Sequence, residues 1–547
     1  MESLLQAIAT ILTLLLAVIV SGALARFSRL PLPLVQIALG IVIALSPLRT
    51  VELKPEIFFL LFLPPLLFLD GWRIPKTALL RDRAIILELS LGLVIMTVIG
   101  AGFLIHWLIP AMPLPVAFAL AAVVSPTDPI AVSSIANQAP IPKRMMHILE
   151  GESLLNDASG LVCMRFAVAA MLTGSFSLSD AFLTFLWVAL GGVAIGVCVT
   201  WAVTWIKQRV TDSLGEDTGA QILISLLMPF GAYLAAEHFH CSGILAAVAA
   251  GVTMGLVEQS GQALGVTRVH RAAVWDTVQF AANGVIFVLL GEQLPGIVAG
   301  AAKTVLLTGH HEVWWLAVYV LLINVGLAAL RFAWVWTSLR WTLFRAIRRG
   351  DPPRKTSWKL VLAMSLAGVR GAITLAGVLT LPLTLTSGEA FPARDLAIFL
   401  AAGVIVVSLV VASVALPRVL KGLSLPPEPS HQAQEDAARA AAAAAAIRAI
   451  EAAQHTMAEG RADADIYTDT AARIMALYRQ RIDGTRESPE AKEISRGAQR
   501  IERQLRLAGV RAERDEVFRL GRERDLDEEA ARRIIRELDL LETRYSA

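Results

Sequence analysis

Charge is scarce in this chain, and much of it lies at one end. Only 17% of the 547 residues are Asp, Glu, Lys or Arg, against about 25% in an ordinary soluble protein. Residues 422–547 hold 21 basic and 24 acidic residues, which leaves 28 basic and 22 acidic residues for the first 421 positions. Since 56% of the chain is hydrophobic, the first part is predicted to lie in a membrane and the last part in water.

Cysteine is almost absent as well. Cys163, Cys198 and Cys241 lie far apart in apolar segments, and there is no Cys-x-x-Cys pair. This excludes a disulfide framework and a thiolate metal site, and it predicts three cysteines that act as small apolar side chains. The net charge of +3 is too small to indicate a nucleic-acid partner.

Long apolar runs are what the sequence has in quantity. A membrane-spanning helix needs about 20 apolar residues, and the first run is followed, not preceded, by Arg26 and Arg29, which argues against a signal peptide. We predict an all-α, polytopic protein with 13 transmembrane helices at 4–25, 31–47, 56–70, 85–109, 114–134, 145–172, 181–206, 219–237, 242–257, 275–299, 313–339, 358–382 and 396–418.

Basic residues alternate between the loops that join these runs. The odd-numbered loops carry 19 Lys and Arg residues and the even-numbered loops carry 4. By the positive-inside rule the odd loops are cytoplasmic, which places the amino terminus outside. Residues 422–547 then form a cytoplasmic helical tail, because an alanine-rich segment and the stripe of Ile534, Ile535, Leu538 and Leu541 are typical of helices. We expect this tail to serve in self-association or regulation.

The sixth run contains charges that an ordinary membrane helix would lack. In "EGESLLNDASGLV", Ser153 and Asp157 are four residues apart, as are Glu152 and Asn156, so each pair shares a helix face. A charge at mid-membrane costs at least ~2.5–3.5 kcal/mol and usually marks an ion or proton path. The Ser153 hydroxyl and the Asp157 carboxylate supply the oxygen ligands that suit a small hard cation.

Two other runs are predicted to break inside the membrane. Pro126 and Pro129 bracket Thr127 and Asp128 in "SPTDP", and each proline removes an amide donor from the fifth run. Non-helical backbone is tolerated at that depth only where protein buries it or where it lines a cavity.

In the twelfth run, the glycines of "GVRGAITLAGVL" permit local unwinding around Arg370. We expect Arg370 to form an ion pair with Glu152. Interrupted spans at matching positions of two halves indicate inverted repeats around a central ion site.

These segments resemble those of the monovalent cation/proton antiporter family, specifically its first subgroup, which includes NhaP-type antiporters and sodium/hydrogen exchangers. The resemblance covers roughly residues 1–420, and its blocks follow the family's order: "LPPLLFLDGW", "SPTDPIAV", "EGESLLNDASGLV", "ANGVIFVLLGEQLP", "LRFAWV" and "GVRGAITLA". It implies a fold of thirteen spans, with a dimer-interface domain and a mobile six-helix bundle.

The resemblance also implies roles for particular residues. Asp157 is the alternating carrier of cation and proton, so Na⁺ would be held by Asp157, Ser153 and the Thr127 carbonyl. The neutral Asn156 before it implies electroneutral one-for-one exchange. Further implied residues are Asp128 as a ligand through water, Asp70 as an acidic ligand, Glu152 with Arg370 as the structural ion pair, and Arg331 as an arginine near the site.

The function predicted from these residues is secondary exchange of Na⁺ or Li⁺ for H⁺ across a bacterial plasma membrane, without enzymatic activity or cofactor. Proton and cation would compete for Asp157, because burial favours its neutral form and a bound cation favours its charged form. K⁺/H⁺ exchange by the same fold remains an alternative. A passive cation channel, an aspartyl intramembrane protease and a membrane-tethered sensor are the rival classes, and no Gly-x-Gly-Asp supports the protease.

Overall fold

The computed structural model describes most of the chain, and the described part is helical. The described residues are 2–28, 30–46, 55–129, 132–133, 141, 143–173, 178–258, 264–304, 314–348, 358–385, 387–421, 432–459, 464–486, 489–523 and 527–546. They form two compact units, Met1–Leu423 and Ser424–Ala547. Within these ranges the β-structure is limited to an isolated bridge between Thr384 and Ala390.

The first unit is built from fifteen described helices. They are α1 Glu2–Ser28, α2 Leu32–Leu45, α3 Pro55–Arg73, α4 Lys76–Arg81, α5 Arg83–Leu108, α6 Leu114–Val124, α7 Lys143–Thr173, α8 Leu178–Leu214, α9 Thr218–His238, α10 Gly243–Glu258, α11 Gly265–Thr304, α12 Trp314–Arg348, α13 Trp358–Leu366, α14 Ala372–Leu379 and α15 Arg394–Lys421.

Eight of these helices are long and apolar enough to cross a membrane. They are α1, α5, α7, α8, α9, α11, α12 and α15, with α2, α6 and α10 as shorter apolar helices. Each predicted apolar run overlaps a described helix, and most helix ends lie within a few residues of the predicted ends, whereas the short helix α4 lies outside the predicted runs. The largest differences are of ten residues. Helix α11 begins at Gly265, before the run predicted from 275, and α6 ends at Val124, before the predicted end at 134.

One irregularity lies inside α5, where residues Glu88–Gly92 form a π-helical turn. A π turn changes the intrahelical hydrogen-bond pattern and leaves a carbonyl available to a neighbour. Here the Ser159 hydroxyl of α7 donates to the Ser90 carbonyl at 2.8 Å. The turn therefore fastens α5 to the helix that carries Glu152 and Asp157.

The buried apolar side chains fall into separate clusters. The largest is made mostly by α5, α6, α7 and α12 to α15, and another is made by α3 and α8 to α11. Glycines allow close helix crossings: a Cβ on Gly291 of α11 would meet the backbone of α2, and one on Gly251 of α10 would meet the backbone of α3. Such small-residue crossings are typical of helices packed in a membrane.

The second unit contains four described helices, α16 Gln432–Ala458, α17 Ala464–Arg486, α18 Pro489–Glu523 and α19 Glu528–Ser546. Helix α16 packs on α17, and α18 packs on α19. Of the predicted apolar stripe on α19, Leu538 is buried, Ile534 and Ile535 are half-buried, and Leu541 is 39% exposed. The helical character predicted for this segment is confirmed for its described residues.

Candidate functional site

The site is built around two places where a helix stops inside the first unit. Helix α6 ends at Val124, and residues 125–128 are not helical. Helices α13 and α14 are separated by residues 367–371, where the backbone is again not helical. Both breaks were predicted, the first from Pro126 and Pro129 and the second from the glycines around Arg370.

The two interrupted segments lie directly against each other. The Asp128 amide donates to the Val369 carbonyl at 2.7 Å. A Cβ on Gly371 would lie 2.5 Å from Cγ of Asp128, so only glycine allows this approach. Each segment therefore satisfies part of the backbone that the other leaves unpaired, as buried backbone groups require.

Arg370 neutralises the helix ends that the two breaks create. Its Nε donates to the Val124 carbonyl at 2.8 Å, and its Nη1 donates to the Gly368 carbonyl. Its own amide donates to the Ser408 hydroxyl of α15 at 3.2 Å. A cation is favourable at a helix carboxyl end, where unpaired carbonyls concentrate negative potential. Residues 125–128 and 367–371 meet at what we call the crossing, and Arg370 holds this crossing together from the α13–α14 side.

The buried ion pair at the site joins Glu152 to Arg331, and this corrects the predicted pair of Glu152 with Arg370. Nη1 and Nη2 of Arg331 contact Oε1 and Oε2 of Glu152 at 2.5 and 2.8 Å. Both side chains are at most 2% exposed. Arg331 also donates from Nε to the Met364 carbonyl near the end of α13. One guanidinium therefore links α7, α12 and α13.

Thr127 connects this ion pair to the Asn-Asp pair of α7. Its hydroxyl donates to Oε1 of Glu152 at 3.1 Å and accepts from Nδ2 of Asn156 at 3.2 Å. The prediction that Glu152 and Asn156 share a helix face is confirmed by these contacts. Oδ1 of Asn156 is buried without a hydrogen-bond partner among the described residues. It is an amide oxygen left available to a positively charged ligand.

Asp157 and Ser153 lie on the adjacent face of the same helix and are both buried. Asp157 is 4% exposed and Ser153 is 7% exposed. Within the described chain, no hydrogen bond to the Asp157 carboxylate is found, whereas Asp128, Asp70 and Glu152 are close enough to repel it. An ionised carboxylate in these surroundings is costly, since buried charges need a partner. A cation or a proton supplies that partner.

Asp70, at the carboxyl end of α3, approaches the site from another helix. It interacts electrostatically with Asp128 and with Glu150 of α7. Glu150 is the first residue of the segment "EGESLLNDASGLV", and no role was predicted for it from the sequence.

Two further residues at the site were not predicted. The Ser125 hydroxyl is buried without a hydrogen-bond partner among the described residues, and its place before Pro126 was the available signal. Ser159, which fastens α7 to the π turn of α5, has no sequence signature. The described residues contain no group of three His, Cys, Asp or Glu side chains that could hold a metal ion.

Comparisons with known proteins identify the family of the chain. Residues 11–422 match the family described as sodium/hydrogen exchanger, transmembrane. A protein of Escherichia coli strain K12 named a Na(+)/H(+) exchanger is 41% identical over 97% of this chain and 98% of its own length.

Two Bacillus proteins are also similar to the chain. Proteins of Bacillus pumilus and Bacillus subtilis, each named a sodium, potassium, lithium and rubidium/H(+) antiporter, are 37% and 36% identical over 98% of this chain and 78% of their own length.

Among solved structures, the sodium proton antiporter MjNhaP1 of Methanocaldococcus jannaschii has a similar fold. The TM-score is 0.56 at 18% sequence identity, over 77% of this chain and 99% of that one. At this identity the match shows the fold alone.

Proposed function

Because the chain belongs to the sodium/hydrogen exchanger family, whose members are membrane transporters and not enzymes, we propose that it exchanges Na⁺ or Li⁺ for H⁺ across the inner membrane of a bacterium. The observation that carries the proposal is the buried Asp157 carboxylate. It lies one helical turn from Ser153, without a hydrogen bond from a described residue.

The exchange follows from competition for one carboxylate. Burial favours the protonated, neutral form of Asp157, whereas a bound cation favours the ionised form. The cation ligands in this proposal are Asp157, Ser153 and the Thr127 carbonyl, with Asp128 acting through water and Asp70 nearby. Proton and cation therefore exclude each other. If the loaded, neutral site moves between the two sides and the empty charged site does not, exchange is obligatory.

Electroneutral one-for-one exchange is supported by the residues beside Asp157. Asn156 contributes no charge, and Glu152 is neutralised by Arg331 at 2.8 Å. The repulsion from neighbouring carboxylates also favours a bound positive charge over an empty site. One positive charge, either a cation or a proton, therefore neutralises Asp157 whether the site is open to the outside or to the inside of the membrane.

The topology proposed for this mechanism has thirteen spans. Eight are the long apolar helices, and α2, α3, α6, α10 and the interrupted pair α13–α14 account for the other five. The excess of basic residues in the odd loops supports an external amino terminus and a cytoplasmic tail. We further propose that a bundle carrying the interrupted helices moves against a scaffold that forms a homodimer, and that the tail regulates or assembles the transporter.

The K⁺/H⁺ alternative is kept because two Bacillus relatives are named for sodium, potassium, lithium and rubidium. Oxygen ligands accept all of these hard monovalent cations, so selectivity depends on cavity size. Proton flux measured with Na⁺, Li⁺ or K⁺ as the sole cation distinguishes Na⁺ or Li⁺ exchange from K⁺ exchange.

The test uses the purified full chain in liposomes, with lipid and salts only and no added cofactor. A cation gradient should drive proton flux, and Asp157→Asn should abolish it, because an amide cannot alternate between ionised and protonated forms. Asp395→Asn is the matched control, since Asp395 is an exposed carboxylate at the start of α15. Undiminished flux in Asp157→Asn refutes the carrier assignment, and cation flux that moves no protons identifies a channel.

A further inference from the structure

A cavity of about 510 Å³ lies between α7, with the residues that follow α14, and the neighbouring helices α8, α9 and α10. Leu161, Met164 and Val168 line one wall. They follow Asp157 at i+4, i+7 and i+11, so they continue along the helix face that carries the proposed carrier residue. The opposite wall includes Val188, Tyr233 and Ile244.

A single pair of opposite charges spans this cavity. Nη2 of Arg165 on α7 lies 3.5 Å from Oε1 of Glu237 on α9, and both residues line the cavity. Glu237 is fixed in place by a second contact, because the Gly243 amide at the start of α10 donates to the same oxygen at 3.3 Å. Arg165 lies eight residues and about 12 Å along α7 from Asp157.

We propose that this cavity is the outer entrance of the cation pathway and that the Arg165–Glu237 ion pair is its gate. The inference rests on the proposed function, because the basic residues at the start of α7 put Arg165 in the outer half of the helix. With the pair formed, the guanidinium occupies the entrance and its positive charge repels cations. With the pair broken, the Glu237 carboxylate faces an open cavity and attracts them.

The packing of the two partners supports a movable contact. Arg165 lies on α7 and Glu237 lies on α9, and these two helices contribute different walls of the cavity. The side chains are 57% and 35% exposed, so the pair is weak, as solvent-exposed pairs generally are. A weak pair is suited to breaking in each transport cycle.

The test probes the cavity with a thiol in the full chain. Cys163, Cys198 and Cys241 are replaced by alanine, and Val168→Cys then places one thiol on the cavity wall. A membrane-impermeant cationic thiol reagent is added from outside. Arg165→Gln should speed labelling by up to about fivefold, the factor that corresponds to an exposed ion pair of about 1 kcal/mol, and should lower the external cation concentration for half-maximal flux. Arg418→Gln, an exposed arginine bonded within its own helix, should change neither quantity.

Three outcomes separate the possibilities. The charge reversal Arg165→Glu with Glu237→Arg should restore the parent labelling rate, which a purely steric role for Arg165 would not allow. Unchanged labelling and half-maximal concentration in Arg165→Gln, with exchange intact, overturn the gate while leaving the proposed function standing. If the native chain and the cysteine-free parent both fail to exchange protons for cations, the result counts against the proposed function itself.

Discussion

The Arg331 guanidinium lies against both carboxylate oxygens of Glu152, at 2.5 and 2.8 Å, and neither residue is more than 2% exposed. The pair joins the carrier helix α7 to α12. The Nε of Arg331 also donates to the Met364 carbonyl, which lies near the carboxyl end of α13 and beside the break between α13 and α14. The same helix α7 thus carries one member of a satisfied buried ion pair and the buried carboxylate of Asp157, which has no hydrogen bond from a described residue.

Breaking this ion pair from one side should destabilise the protein strongly. Arg331→Gln leaves Glu152 buried without its counter-charge, a change that typically costs about 3–5 kcal/mol. The double variant with Glu152→Gln should recover part of the loss, because neither charge is then left alone. Thermal unfolding of the detergent-solubilised protein measures both. A double variant as unstable as the sum of the single variants would show that the two residues do not act as a pair.

The breaks in the helices could be predicted because their causes are local. Pro126 and Pro129 remove amide donors from α6 whatever surrounds them, and the glycines beside Arg370 permit unwinding in the same way. The periodicity of Glu152, Asn156, Ser153 and Asp157 likewise follows from helix geometry. These rules predict the two breaks and the shared helix face of Glu152 and Asn156 that the structure has, and each predicted apolar run overlaps a described helix.

The partner of Glu152 could not be predicted because it depends on which helices meet. Arg331 and Arg370 both lie in apolar runs, and either one could neutralise a buried carboxylate. The carbonyls released by the breaks at Val124 and Gly368 occupy Arg370, which leaves Arg331 for Glu152. The sequence shows neither this division nor the π turn of α5 that receives Ser159.

A substitution of glycine by alanine at the crossing should show how much transport depends on close packing there, because it changes no charge. Gly371→Ala places a Cβ 2.5 Å from Cγ of Asp128, so one of the interrupted segments has to shift. Overpacking of this kind costs about 1–3 kcal/mol, and we expect at least about a tenfold loss of cation-driven proton flux.

Gly296→Ala is the matched control for the crossing. A Cβ there meets nothing within 4 Å, and alanine is favoured over glycine in a helix by about 0.5–1 kcal/mol. This variant should retain parent flux and at least parent stability. Equal behaviour of the two alanine variants in the liposome assay would contradict the importance of the crossing.

Arg370 should act through the backbone and not through Glu152. Arg370→Gln leaves the Val124 and Gly368 carbonyls without a charged donor, and an unsatisfied buried group costs about 1–3 kcal/mol. Arg370→Lys keeps the charge with fewer directed donors, so it should retain more stability and flux than Arg370→Gln. In thermal unfolding, Arg370→Gln should add to Glu152→Gln. A coupling as large as that between Glu152 and Arg331 would restore the pair predicted from the sequence.

In the tail, Glu542 should fasten α19 to α18 in a pH-dependent way. Hydrogen bonds from Arg511 and Arg514 hold the pKa of Glu542 below its usual 4.5. A carboxyl with a lowered folded-state pKa contributes stability above its unfolded-state pKa and loses it as the pH falls through the folded-state value.

Amide hydrogen exchange in the full chain measures this contribution. At pH 7, Glu542→Gln should speed exchange in α19, whereas Glu537→Gln should not, because Glu537 is an exposed carboxylate of the same helix. After correction for intrinsic exchange rates, parent and Glu542→Gln should converge as the pH falls below 4.5 and the Glu542 carboxylate of the parent becomes protonated. A difference that persists unchanged once the pH is low enough to protonate Glu542 in the folded protein would mean that Glu542 stabilises the α18–α19 pair through packing, since its charge is then absent in both proteins.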